Sequence, residues 1–220
     1  MEIDITDHHS PHSSPDHTRQ IYDVSFSGDT IETTVTADPE AVTRWINRIE
    51  LINFDVNRVI VALNVEWRRS SAQRRNPVAV LQLCIGSECL IYQIIHAHHI
   101  PDALRHFFLH NTYTFAGVGI SSSFEKLVSD YGIGGHANAV ELGKQAADAY
   151  DVAELKNVGL KELASYVLSK EDVEKPRSVT MSNWDERWLT VEQVNGPLFP
   201  TARLFALLVN NIALFLEQCR

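Results

Sequence analysis

The stretch RVIVALNVEWRR, residues 58 to 69, constrains the fold of this chain more than any other. Its apolar run from Val59 to Leu63, continued by Val65, is typical of a central strand buried on both faces. Asn64 and Glu66 end this strand, and because side chains alternate along a strand, both are expected on one face. The arrangement is typical of a carboxylate pair that holds a metal ion, except that one member here is an amide.

Length and charge narrow the class of protein. With 220 residues, 45% of them hydrophobic, the chain is long enough for one domain with a substantial core. A formal net charge of −9 argues against nucleic-acid binding through bulk electrostatics, although a local basic patch stays compatible with it. The polar start and the lack of an apolar run of membrane-spanning length predict a soluble protein of a reducing compartment, cytoplasmic or nuclear.

Residues 1–19 and 20–220 differ in composition. The first segment is rich in His, Ser and Pro and is predicted to be disordered, because it buries too little apolar surface. Residues 20–220 are predicted to form one domain, in which strand patterns come early and helical patterns late. This order favours an α/β fold, a mixed sheet flanked by helices. The elements expected include a hairpin from residue 20, a helix after Asp38, strands at 58–66, 77–85 and 88–94, and a final helix from about 201 to 217.

Cysteine, histidine and tryptophan side chains outside this strand receive structural interpretations. Cys84 and Cys89 fall in predicted strands without metal-ligand spacing and are interpreted as inert core thiols. The HAHH motif at residues 96–99 has no Cys or carboxylate at ligand spacing, so surface histidines are expected there. Trp184 and Trp188 are expected to pack an irregular segment against the body of the domain.

Three segments together resemble a known family. LNVEW at 63–67 stands where the family has Asp-x-Glu, and FAGVGISSSFEKL at 115–127 where it has Gly-Val-Gly-Ile-x-x-Asp-x-x-Lys-Leu. The segment SNWDERWLTVEQVNGPLFPTARLFALL, 182–208, stands where it has Ser-Asn-Trp, Leu-Thr-x-x-Gln and Tyr-Ala-x-x-Asp-Ala-Tyr. Over residues 20 to 217 the chain resembles the Werner-syndrome-type 3′–5′ exonuclease domain, a DEDDy member of the ribonuclease D superfamily. Its opening resembles in particular the small single-domain plant proteins of that family.

This resemblance implies a ribonuclease H-like fold. It also implies four carboxylates that hold two divalent metal ions about 4 Å apart, beside a Tyr that orients the attacking water. Carried over residue by residue, the five family positions are occupied here by Asn64, Glu66, Ser123, Gly196 and Pro200. Only Glu66 keeps a carboxylate, so it is the one weak metal candidate. No cofactor is expected, and Mg²⁺ or Mn²⁺ is expected only if activity remains.

Charge and backbone both favour a dismantled site. Two divalent ions bring four positive charges, and like charges about 4 Å apart repel by about 4 kcal/mol at an effective dielectric of 20. Pro200 in a helix interior costs roughly 3 kcal/mol, so the last helix is expected to begin near Pro200 rather than before Gly196. Glu125 is expected to point away from the position of Ser123. A relocated metal site stays open as an alternative, with the candidate acids Asp148, Asp151 and Asp185.

A positive cluster follows the central strand. Arg68, Arg69, Arg74 and Arg75 lie within eight residues, and two interpretations stay open: contact with nucleic-acid phosphates, or pairing with the protein's own acids. Trp67, beside them, fits a core position better than a base-stacking one.

Three functional hypotheses follow. The favoured one is a pseudo-exonuclease, inactive or severely impaired, that binds DNA or RNA 3′ ends or a protein partner such as an active paralogue. The second is a working metal-dependent 3′–5′ exonuclease with a modified metal site. The third is a structural partner or homo-oligomer subunit without nucleic-acid binding. No membrane partner is expected. Whether the chain is an enzyme, and whether it prefers DNA or RNA, stays open at this stage.

Overall fold

The computed structural model describes residues 4–7, 19–26, 29–68, 75–168, 182–190 and 193. The strands are β1 (Asp4–Asp7), β2 (Arg19–Phe26), β3 (Asp29–Thr36), β4 (Val59–Glu66), β5 (Val80–Ile85), β6 (Glu88–Tyr92), β7 (Tyr113–Gly117) and β8 (Ala139–Glu141). The helices are α1 (Pro39–Ile52), α2 (Asp102–Leu109), α3 (Ile120–Tyr131), α4 (Leu142–Tyr150) and α5 (Leu160–Leu168), with short 3₁₀ helices at Ile94–His96 and Ala153–Asn157. Within these residues the strands form one sheet in the order β1-β2-β3-β6-β5-β4-β7-β8. The predicted α/β fold with a mixed sheet is confirmed.

Strand direction brings the carboxyl ends of six described strands to one side of the sheet. β4 runs parallel to β7, β7 parallel to β8, and β3 parallel to β6. β5 is antiparallel to both of its neighbours, β4 and β6. β1 and β3 are both antiparallel to β2, the strand between them, and so run in one direction. The carboxyl ends of β1, β3, β4, β6, β7 and β8 therefore lie along one side, which we call the carboxyl edge. Glu66, the last residue of β4, lies at this edge.

Helices cover both faces of the sheet. On one face, Val61 and Leu63 of β4 join an apolar cluster with α1, α2 and α3. On the other face, Ala62 packs in a cluster with α4 and α5. Asn64 and Glu66 follow Ala62 at intervals of two and share its face. No helix in the described ranges is long and apolar enough to cross a membrane.

Local sequence accounts for α1, which begins where predicted. The Asp38 carboxylate accepts hydrogen bonds from the backbone N–H groups of Glu40 and Ala41, at 3.1 and 3.2 Å. Pro39 occupies the first turn, where its missing N–H costs nothing. The apolar stripe of the helix is buried against the sheet: Val42, Trp45, Ile46 and Ile49. The predicted start of this helix after Asp38 is therefore confirmed.

The amino-terminal segment corrects one expectation. Asp4–Asp7 pairs antiparallel with β2, with Asp4 opposite Ser25, so disorder is wrong for these four residues. Pairing to a sheet edge uses backbone groups and needs no apolar composition. Residues 1–3 and 8–18 lie outside the described residues, and so does the predicted helix from 201 to 217.

The hairpin of β5 and β6 corrects a second expectation. Cys84 and Cys89 are joined by a disulfide, so their interpretation as free thiols is wrong. The two-residue turn at Gly86 and Ser87 sets a register in which the cysteines are direct cross-strand partners, with Cα atoms 4.2 Å apart. Both cysteines are buried on the face of the sheet that carries Ala62.

Candidate functional site

The end of β4 carries an amide network. The Asn64 Nδ2 donates to Oε1 of Glu66 at 3.3 Å and to Oε1 of Gln82 at 2.7 Å. The predicted sharing of one face by Asn64 and Glu66 is therefore confirmed. Gln82 lies directly opposite Asn64 on β5 and is almost fully buried. Glu66 is thus engaged by an amide where the family pattern has a second carboxylate.

Gln82 is a site residue that the sequence analysis missed. Its Nε2 is buried and has no hydrogen-bond partner among the described residues. A buried polar group without a partner is costly and rare. The available signal was a single glutamine inside the otherwise apolar run PVAVLQLCI, because an amide in a central strand must find a partner on a neighbouring strand.

Ser123 is directed at its own helix. It lies in the first turn of α3, where its backbone N–H and its hydroxyl both donate to the Gly119 carbonyl, at 3.2 and 3.3 Å. A neutral hydroxyl bound in this way supplies no negative charge. Glu125, two residues on, is exposed.

The approach of α3 to the sheet depends on Gly117 and Glu141. A Cβ built on Gly117 would meet the Leu63 carbonyl oxygen at 2.8 Å, so only glycine lets β7 end this close to β4. The Glu141 carboxylate accepts the N–H groups of Gly119 and Ile120, each at 3.0 Å, and so caps α3. Glu141 was not singled out from the sequence, because its partners are more than twenty residues away.

Two of the three acids considered for a relocated site pair with cations of the protein itself. Asp148 pairs with Lys156 at 3.8 Å, and Asp185 pairs with Arg68 at 3.1 Å. Asp151 ends α4 in the left-handed conformation, with φ of 54°. Across the described ranges, no group of three His, Cys, Asp or Glu side chains is placed to hold a metal ion. The histidines at 96, 98 and 99 are exposed, as predicted.

Two arginines of the positive cluster are paired with the protein's own acids. Arg68 Nε contacts Asp185 at 3.1 Å and the Asn183 side-chain oxygen at 3.0 Å. A further Arg68 nitrogen lies 3.5 Å from Glu186. Arg75 pairs with Asp130 at 3.7 Å. The second of the two open interpretations therefore holds for Arg68 and Arg75, while Arg69 and Arg74 lie outside the described residues.

Trp67 lies outside the core, so the core interpretation is wrong. Its side chain is 36% exposed, because β4 ends at Glu66 and the next residue leaves the sheet. The Lys126 ammonium lies 5.1 Å from the centroid of the Trp67 ring, a cation–π distance. Lys126 is held in turn by Asp130 at 3.1 Å.

The two other tryptophans of the site region have opposite environments. Trp184 is fully buried against Val35, Val80 and Ile91, on the face of the sheet that carries Asn64. Its predicted packing is confirmed. Trp188 is 66% exposed, so the same prediction is wrong for Trp188. Within segment 182–190, Trp184 and Leu189 therefore pack against this cluster, while the ring of Trp188 stays exposed.

The donor set does not fit a pair of divalent metal ions. Hard cations need carboxylate and carbonyl oxygens, and the described positions supply one carboxylate, Glu66, one amide, Asn64, and one hydroxyl, Ser123. Gly196 and Pro200 lie outside the described residues, and neither side chain carries a ligand atom. One negative charge against four positive charges leaves the arrangement strongly unfavourable.

Comparisons in sequence identify similar proteins. No protein-family model matches the chain. A 3′–5′ exonuclease of Arabidopsis thaliana is 31% identical over 145 residues, which are 61% of this chain and 46% of that protein. The bifunctional 3′–5′ exonuclease/ATP-dependent helicase WRN of Mus musculus is 31% identical over 136 residues, 61% of this chain and 9% of that protein. The chain thus spans less than half the length of these curated relatives.

Comparison in structure addresses the fold. The EXO domain of Nibbler from Aedes aegypti superposes with a TM-score of 0.67 at 14% identity, covering 84% of this chain and 89% of that one. At this identity the likeness concerns architecture and not activity. The predicted ribonuclease H-like arrangement of a mixed sheet flanked by helices is confirmed by it.

Proposed function

We propose that this chain, a Werner-like 3′–5′ exonuclease domain in sequence and fold, binds nucleic acid without hydrolysing it. The similar proteins are named as exonucleases, which supports nucleic acid as the class of ligand. The donor set at the end of β4 supports the loss of hydrolysis. Fold alone does not carry activity, so the side chains decide this point.

The observation that carries the proposal is the hydrogen bond from Asn64 to Glu66. In a two-metal site the corresponding pair of acids faces the metal ions with four or more oxygen ligands around each. Here an N–H group occupies the space between the two side chains and points at the one carboxylate. A cation approaching Glu66 would meet that donor and would lose the charge of a second acid.

The test is degradation of a 3′-recessed, end-labelled DNA duplex and a matching RNA, first with Mg²⁺ and then with Mn²⁺. The native chain and Glu66→Ala are compared, with Glu125→Ala as a matched control at an exposed acid. Both substrates are expected to stay intact, or to show trace cutting that Glu66→Ala leaves unchanged.

Metal-dependent degradation of either substrate would contradict the proposal. Stepwise, metal-dependent shortening by the native chain and by Glu125→Ala, lost in Glu66→Ala, would overturn the proposal and establish a working exonuclease. The part of the proposal that concerns nucleic-acid binding is tested separately, with labelled strands in the presence of a chelator. Absence of binding at any salt concentration would leave a structural partner as the remaining hypothesis.

A further inference from the structure

A second feature of the carboxyl edge is a pocket of about 280 Å³ where β3 and β6 end. Two arginines, two histidines, one aspartate and one tryptophan line it beside a buried amide: Arg19, Arg187, His96, His98, Asp38, Trp188 and Gln93. We call this set the edge pocket. Its volume is close to the lower limit for a small-molecule site, about 300 Å³, which fits one nucleotide unit rather than a large ligand.

The edge pocket is positive within an acidic protein. Within the described part of the chain, the side chains of Arg19 and Arg187 form no ion pair. The one acid of the lining, Asp38, caps α1 and lies 3.6 Å from Arg44. In contrast to Arg68 and Arg75, the two guanidinium groups here meet no acid among the described residues and so suit an anionic ligand.

Trp188 is held in an exposed position by a fixed backbone. The Gln93 amide, nearly buried, donates to the carbonyls of Glu186 and Arg187, at 3.3 and 3.2 Å. Trp184, four residues before Trp188, anchors the same segment in the core. An exposed tryptophan on an anchored segment does not stabilise the fold, because an exposed ring contributes no hydrophobic free energy of burial. The exposed ring instead lines the edge pocket together with the two arginines.

These groups match the chemistry of an unpaired nucleotide. A tryptophan face stacks on a base, and arginine forks contact phosphate oxygens. Stacking on an aromatic side chain needs a base that is free of its duplex neighbours, so the ligand class is a single strand. The shared chemistry does not separate DNA from RNA.

The edge pocket lies on the same edge as Asn64 and Glu66. From β4 to β3 the sheet crosses three strand spacings, or about 14 Å. Segment 182–190 reaches both places, with Asp185 on Arg68 and Arg187 at the pocket. We infer that the edge pocket binds one nucleotide of a single-stranded nucleic acid by stacking on Trp188, an inference that rests on the proposed function and gives its binding site.

The experiment measures binding of a labelled oligothymidine, an oligouridine and a blunt duplex to the full chain, by fluorescence anisotropy with a chelator present. The test variant is Arg187→Glu with Trp188→Ala, and Arg19→Glu provides a second variant from a distant part of the sequence. The matched control is Arg58→Glu with Phe54→Ala, which likewise reverses one arginine charge and truncates one aromatic ring, at exposed residues near the opposite edge. Circular dichroism checks folding, and competition with a mononucleotide and with inorganic phosphate separates stacking from charge.

Both single strands are expected to bind more tightly than the duplex. The double variant at the pocket is expected to weaken this binding at least about tenfold, with the control unchanged. A mononucleotide is expected to compete better than phosphate. Equal weakening in the control, no weakening at the pocket, or no binding of single strands would overturn the inference. Binding unaffected by the pocket variants would leave the proposed function standing, whereas metal-dependent cutting in the separate degradation assay would overturn that function.

Discussion

At the end of β4 an amide side chain, Asn64, stands where the family pattern has a carboxylate. Asn64 donates to Glu66 and to Gln82, and Gln82 keeps a buried N–H group without a described partner. The sequence could place Asn64 and Glu66 on one face because strand alternation is a local property. It could not pair Asn64 with Gln82, because that contact depends on the register of β4 against β5.

Restoring one acid is expected to harm stability without restoring cutting. Asn64→Asp removes the donor that Gln82 and Glu66 accept from and places a carboxylate beside a carboxylate. We expect a loss of about 1–3 kcal/mol in the free energy of unfolding, measured by urea denaturation. Asn57→Asp, the same change at an exposed position, serves as control. Metal-dependent cutting by Asn64→Asp would show that one acid is sufficient, against the charge argument.

A partly buried phenol predicts how stability falls at alkaline pH. Burial, with a smaller contribution from Asp130, raises the pKa of Tyr131 to about 12, and its hydroxyl donates to the Val78 carbonyl at 2.5 Å. Because the folded-state pKa lies above the unfolded value near 10, the phenol's contribution is complete below pH 10. This contribution is lost as the pH rises from about 10 to about 12. Tyr131→Phe should therefore flatten the fall of unfolding free energy over this range, whereas Tyr166→Phe, at an exposed ring, should not.

Elements meet at the carboxyl edge through a few long-range contacts. The end of α3 at Gly132, which adopts the left-handed conformation with φ of 66°, is a local signal, because glycine takes this conformation without steric cost. The cap at its start comes from Glu141 on β8, which no local pattern announces. The pairing of Arg68 with Asp185 joins residues 117 apart in sequence and was likewise beyond reach.

Removing the charge of the Glu141 cap should destabilise α3. Glu141→Gln keeps the shape of the side chain but replaces a carboxylate that accepts two backbone N–H groups. We expect a loss of about 0.5–2 kcal/mol in unfolding free energy. Glu125→Gln, on an exposed face of the same helix, should change stability far less. Equal effects from the two variants would mean that Glu141 contributes only net charge.

The disulfide of the β5–β6 hairpin should contribute modestly. It closes a short loop, with the cysteines five apart in sequence, and loop-closure entropy then gives about 2 kcal/mol. Adding dithiothreitol should lower the unfolding free energy of the native chain by about this amount. The same reductant should have no effect on the variant with both Cys84→Ala and Cys89→Ala. A reductant effect that persists in this variant would point to another cause.

The whole molecule combines a net charge of −9 with a small positive region at one edge. Composition correctly excluded a generally basic surface but could not locate the edge pocket, because its residues come from four separate segments. Arg68 and Arg75, which the sequence brought forward, are neutralised by acids brought in through folding. Charge clusters in sequence therefore differ from charge clusters in space.

Salt dependence measures the size of this positive region. With two guanidinium groups in contact with phosphates, the logarithm of the binding constant should fall with the logarithm of salt at a slope of about −1.4. Arg187→Glu should make the slope shallower by about 0.7 or more. Anisotropy titrations over a salt series check this. A native slope of about −3 or steeper would require a larger basic surface than the edge pocket supplies.

The unequal burial of the tryptophans gives the chain an optical consequence. Trp45 and Trp184 are enclosed by the core, while Trp67 and Trp188 face solvent. Indole emission shifts to longer wavelength in contact with water, and a dissolved collisional quencher reaches only solvent-facing rings. The native protein therefore carries two spectroscopic populations of tryptophan. Protection of the long-wavelength emission from the quencher would report a ligand bound beside Trp188, without any attached label.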